Sequence, residues 1–116
     1  MVGKSKHRTK DDQRRFDSLK AMGCIICRER GLGWVYPEIH HLISGYRKGH
    51  QETIPLCQWH HQGKPLDIEV RPSQMKMIAG PSLALHKREF IEQHGTEKEI
   101  LDRVNAELDR MGALNA

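Results

Sequence analysis

No stretch of this chain is apolar for long enough to span a bilayer, and its first residues lack the apolar run of an export signal. A cytosolic protein with no membrane partner is expected. Hydrophobic residues are few: 37% of 116 residues, with a mean hydropathy of −0.69. A core this thin needs a staple, such as a metal or an oligomer interface. Cysteine is scarce too. Three residues are too few for a disulfide scaffold, and an odd count leaves one over. In a reducing compartment such thiols stay free and can hold zinc. The charge surplus is small, +4 with a pI near 9.1, so an anionic partner is indicated, nucleic acid being the commonest. The length fits one domain and leaves little for a second.

Histidine is what the chain has in abundance, with eight copies. Imidazole is an unusual group to collect unless metal binding or proton transfer is involved.

Residues 1–10 are basic and polar and read as a flexible arm ahead of a single domain over 11–116. Residues 11–22 place Phe16, Leu19 and Met22 on one helical face, with Gly23 as the stop. Cys24-Ile-Ile-Cys27 is a tight turn with two thiols. Residues 34–43 are aromatic and branched and read as extended, residues 44–51 as a glycine-bracketed basic loop, and residues 53–56 as a short second strand. Cys57 opens a helix carrying His60 and His61. Residues 62–81, with their prolines and glycines, read as irregular, and residues 83–94 as helix. Thr96-Glu-Lys-Glu99 is a capping box for a last helix suited to packing or dimerisation. No internal repeat or low-complexity tract is visible.

The first chemical signal is Cys24-x-x-Cys27 paired with Cys57-x-x-His60. Two such turns aim four soft or borderline ligands at one centre, which suits tetrahedral zinc. A redox Cys-x-x-Cys would need a thioredoxin-like βαβ context, which is absent. The alternative is three unrelated buried cysteines. The second signal is His40-His41, lying between the two pairs. On extended backbone, neighbours point to opposite sides, so one imidazole can hold a metal while the other takes a proton from water. The third is His61. On a helix it turns roughly 100° from His60, so His60 can face the staple and His61 can face His40. The reverse assignment of His60 and His61 is the competing reading. The x-x spacing from Cys57 favours His60 as the zinc ligand.

The run Glu38-Ile39-His40-His41-Leu42, with Gly45, Ile54-Pro55-Leu56-Cys57 and His60-His61, resembles the HNH, or ββα-metal, endonucleases. Within them the chain is most similar to phage recombination-enhancement nucleases that act together with RecA. Phe90-Ile-Glu-Gln-His-Gly95 echoes a segment near that subgroup's C-terminus, so the resemblance spans Cys24 to about Gly95. It implies an α+β fold: a small zinc-stapled ββα core with flanking helices. It implies His41 as the general base, and His40 and His61 as ligands of a catalytic divalent metal, magnesium or manganese. It also matches Cys24, Cys27, Cys57 and His60 to the structural zinc positions. Two departures stand out. The family's final helical histidine or asparagine is replaced by Gln62-Gly63-Lys64-Pro65, which leaves His86, on the next element, as a candidate third ligand against a reading as a packed or exposed histidine. The middle asparagine is missing, with Glu52 and Thr53 near its place.

On this reading the protein is a metal-dependent DNA endonuclease of phage or prophage origin, acting in a bacterial cytoplasm. A recombinase filament of RecA type is its candidate partner. Arg14, Arg15, Arg47 and Lys48 are candidate phosphate contacts, which position a backbone but carry no base code, so little sequence specificity is expected. Each is also readable as a solvated surface charge. The alternatives are a non-catalytic zinc module binding nucleic acid or protein, and an RNA-directed nuclease of the same type.

Overall fold

The computed structural model describes residues 8–42 and 49–115, the last three as backbone only. The elements run α1 (Lys10–Met22), α2 (Ile25–Glu29), β1 (Glu38–His41), β2 (Thr53–Leu56), α3 (Gln58–Gln62), α4 (Pro72–Ala79), α5 (Lys87–His94) and α6 (Glu97–Asn115). This is a small α+β protein. Its two strands pair antiparallel, with Glu38 opposite Leu56, His40 opposite Ile54 and His41 opposite Thr53.

Thr9 starts α1 with a reciprocal capping box. Its hydroxyl accepts from the Asp12 N–H, and the Asp12 carboxylate accepts from the Thr9 N–H. The face carrying Phe16, Leu19 and Met22 is buried, as the helical spacing predicts. Strand β2 is buried along its whole length, because α1, α2 and α6 close over it. Pro55 has no N–H to donate, which a strand in a two-stranded ladder tolerates. Ile100, Leu101 and Val104 of α6 complete the core.

Arg15 ties three elements together. Its Nε and one terminal nitrogen donate to the hydroxyl and carbonyl of Thr53, at 2.9 and 2.6 Å. The other terminal nitrogen donates to Asn105 Oδ1 at 2.9 Å. Burial pushes its guanidinium down from its ordinary value.

Three local readings change. Residues 72–79 form a helix inside the stretch read as irregular: Pro72 occupies its first turn and Gly80, at φ +82°, ends it. Proline at the start and glycine past the end are helix boundaries here, not breakers. Helix α5 begins at Lys87 and not near Leu83, since Ser82 and His86 are engaged in a turn in which the Ser82 hydroxyl accepts from the Leu85 N–H. The extended segment from Trp34 joins the ladder only at Glu38, after Pro37. Among the described residues, no helix is long and apolar enough to cross a membrane.

Candidate metal centre and active site

Cys24 and Cys57 occupy the same local position, each the N-cap of a short helix. Each sulfur accepts from the backbone N–H three residues on, Cys27 and His60 respectively, at 3.5 Å. The two turns face each other and bury all four side chains completely. Their ligand atoms lie within 4.8 Å of one another. His60 Nδ1 is 3.5, 3.6 and 3.3 Å from the sulfurs of Cys24, Cys27 and Cys57, and the Cys27 and Cys57 sulfurs are 3.7 Å apart. Tetrahedral zinc with ordinary bond lengths sets sulfur–sulfur edges near ~3.8 Å and sulfur–nitrogen edges near ~3.6 Å. The cluster fits a zinc ion on those grounds.

The three sulfurs share their protons unevenly. Hydrogen bonds from Cys24 and Cys27 hold the Cys57 thiol well below its ordinary value, while bonds to Cys24 and Cys57, with burial, push the Cys27 thiol up. Burial opposes charging His60, but facing Cys24 and Cys57 outweighs it and pushes the imidazole up to about 9. Nε2–H of His60 donates to the Ala79 carbonyl at 2.8 Å, which directs Nδ1 at the sulfurs. A ligating histidine is commonly oriented by a carbonyl in this way.

The second group of residues gathers on β1. Alternation puts Glu38 and His40 on one face and Ile39 and His41 on the other. His61, one helical step past the cluster's His60, turns toward that first face. Its ring meets that of His40 at a centroid distance of 4.8 Å. Each imidazole has its own carboxylate. His61 Nδ1–H donates to Glu38 Oε1 at 2.9 Å, and His40 Nε2–H donates to Glu97 Oε2 at 2.5 Å. Gln62 Nε2 donates to the same Glu38 oxygen at 2.7 Å. Those bonds leave Nε2 of His61 and Nδ1 of His40 as acceptors. His40 is only 8% exposed. Burial, with His61 beside it, pushes its imidazole down from the ordinary value despite the opposing pull of Glu97, so the neutral form suited to a metal is favoured. Among the described residues, the cysteine-rich cluster is the one group of three or more potential ligands drawn together within 4.8 Å. His40 and His61 form an adjacent pair rather than a closed cage.

His41 faces the other way. Its Nε2 lies 2.9 Å from Nδ1 of His50, and the edge of Phe16 packs against both rings, with centroids 6.3 Å from His41 and 5.5 Å from His50. The three imidazoles of the sequence reading are therefore split two and one across the strand.

The remaining candidates scatter. His86 stands against Trp59, with Nδ1 accepting from the Ser82 N–H at 3.1 Å, and among the described residues it forms no ligand group with His40 and His61. Arg14 is exposed and paired with Asp11. The guanidinium of Arg15 is engaged inside the protein, as above. Arg47 and Lys48 lie outside the described residues.

Three partners escaped the sequence reading. Glu38 was accessible to it, standing two residues before His40 and hence on the same strand face. His50 and Glu97 left no local signal, since one lies in the loop between the strands and the other in the first turn of the last helix.

No solved structure matches the chain. The family model described as recombination enhancement, RecA-dependent nuclease matches residues 8–109. That span takes in both turns of the cysteine-rich cluster, the whole of β1 and the Glu97 turn, and the chain accordingly belongs to this family of RecA-dependent nucleases.

Proposed function

We propose that the protein is a metal-dependent DNA endonuclease of HNH type, with His41 as general base, His40 and His61 as holders of a catalytic divalent ion, and Cys24, Cys27, Cys57 and His60 as ligands of a structural zinc. The observation that carries this reading is the division of labour around β1: two carboxylate-oriented imidazoles meet on one face, and a third, held by a different histidine, stands on the other.

Hydrolysis of a phosphodiester needs an activated water, stabilisation of added negative charge and help for the leaving oxygen. When bound, a divalent ion such as magnesium or manganese supplies Lewis-acid stabilisation of that charge. Glu38 and Glu97 fix the tautomer and orientation of His61 and His40, the role second carboxylates play behind ligating histidines. His41 takes the proton of the attacking water, an effect typically worth ~10²–10⁴ in rate. Its Nε2 contact with His50 and the edge of Phe16 hold the ring in one orientation. The position of His41 on the strand face opposite His40 and His61 supports giving it a role separate from theirs. Contacts to DNA come from phosphate-seeking basic groups, so low sequence specificity is expected, with a RecA-type filament presenting the substrate.

The test is His41→Ala in a plasmid-nicking assay with magnesium, with and without recombinase-coated single strands. Loss of cutting with unchanged zinc content and thermal midpoint is expected. Cutting at the parental rate would remove His41 from the mechanism.

A further inference from the structure

Trp34 and Tyr36 are 60% and 62% exposed, an unusual amount of aromatic surface for a chain with so few aromatic residues. Lone exposed apolar residues need no explanation, but a contiguous and ordered pair does. The pair is fastened to the main chain through Trp34. The Trp34 indole N–H donates to the Lys20 carbonyl at 3.1 Å. Its ring lies over Gly23, where a Cβ would stand 2.7 Å from Trp34 Cδ1, and Gly23 itself holds φ +79°. The chain thus keeps a glycine where the indole must sit and fastens the indole there, while leaving much of it in solvent. Tyr36 meets Trp34 edge-on at 6.3 Å.

The aromatic pair leads into the proposed active site. Tyr36 and Glu38 line one open pocket of about 340 Å³, together with Val35, Gln58 and Leu66. Glu38 then reaches His61 at 2.9 Å, and His61 stacks edge-on with His40 at 4.8 Å. Trp34 thus adjoins, through Tyr36, a pocket whose far wall is the carboxylate that orients a proposed metal ligand. Glu38 makes the pocket unwelcoming to a phosphate, while the flat faces beside it suit a neutral ring.

We propose that Trp34 and Tyr36 form a stacking platform for unpaired nucleobases of the DNA strand being cut, so that the substrate enters with at least one base out of the duplex. This rests on the nuclease reading above for the place of cutting, but the binding it describes is separately measurable. Stacking suits a nuclease of low sequence specificity, because every base has a π-face. A ring already held in place loses little freedom when a base lands on it.

The test uses the full zinc-loaded chain in buffer without magnesium or manganese. The probes are a short oligothymidylate and a blunt duplex of equal length. The chain has two tryptophans, and Trp59 is fully buried with its indole N–H on the Gly80 carbonyl at 2.9 Å, so a change in tryptophan emission on adding DNA reports Trp34. The single strand is expected to quench that emission, and Trp34→Phe to abolish the quench while keeping affinity within a few-fold. Trp34→Ala and Tyr36→Ala should each weaken binding roughly 5- to 150-fold, with the salt dependence of binding unchanged, since stacking releases no counterions. An unmoved emission together with unmoved affinities in both alanine variants overturns the platform. So does a result in which those variants break up a dimer while oligonucleotide affinity stays the same, since the patch is then a protein interface. Failure of the platform is distinguishable from failure of the nuclease reading: quenching with a fully active His41→Ala protein sinks only the latter, and an inactive His41→Ala protein with no quenching sinks only the former.

Discussion

Glu97, in the first turn of α6, sets its carboxylate 2.5 Å from Nε2 of His40, 57 residues earlier in the chain. The last helix is therefore joined to the candidate active site and does not serve only as a packing element. Replacing Glu97 by Ala frees the His40 ring to rotate. Loss of such a supporting carboxylate typically costs roughly 10- to 100-fold in metal affinity or activity. We expect the manganese concentration for half-maximal nicking to rise by that order in Glu97→Ala, with zinc content equal to that of the parent. An activation curve that overlays the parental one would dismiss the role.

The cysteine-rich cluster predicts a different metal behaviour. One zinc per chain should survive dialysis, because its four ligands are buried and spaced for it. Cys57→Ser should lose that zinc and much of the cooperative fold, since metal binding in a small thin-cored domain is folding free energy. Native mass spectrometry and circular dichroism read both. The same spectra separate an enzyme from a zinc module: a second, exchangeable divalent ion lost in His40→Ala supports the enzyme, and a single ion in every protein supports the module.

Arg14 and Arg15 adjoin in sequence but should respond differently to truncation. Arg15→Ala leaves Thr53 and Asn105 without their donor in a partly buried site, which costs about 1–3 kcal/mol. Arg14→Ala removes an exposed pair with Asp11 and should change stability by less than about 0.5 kcal/mol. Urea denaturation of the two variants decides it, and equal midpoints would show that the Arg15 network does not stabilise the fold.

Asp12 predicts an acid limb in the stability curve. Hydrogen bonds from the Thr9 N–H and from Gln51 hold its carboxyl below the ordinary 3.8. A depressed folded value means the stabilisation is complete above the unfolded value and is lost as pH falls below it, toward the folded one. Asp12→Asn should flatten that part of the curve, measured as thermal midpoint against pH. A variant with the same acid slope as the parent would assign the slope to other carboxylates.

The parts of this protein readable from the chain are those set by neighbours close in sequence. Cys24 and Cys27, or Cys57 and His60, share a turn, so their spacing alone says that they point together. Phe16, Leu19 and Met22 share a helical face for the same reason. His60 and His61 diverge because consecutive helical side chains must, and His40 and His41 because consecutive strand side chains must. Even helix α4 was present as Pro72 and Gly80, punctuation open to being read as breaks.

What only tertiary structure decided is which of these local pieces meet. Nothing near His40 announces Glu97, nothing near His41 announces His50, and nothing near Arg15 announces Thr53 or Asn105. Such pairings depend on how α1 and α6 close over β2, a packing choice made by the whole apolar core at once. Local periodicity records the direction in which a side chain leaves the backbone; the closure of the core decides what it finds there.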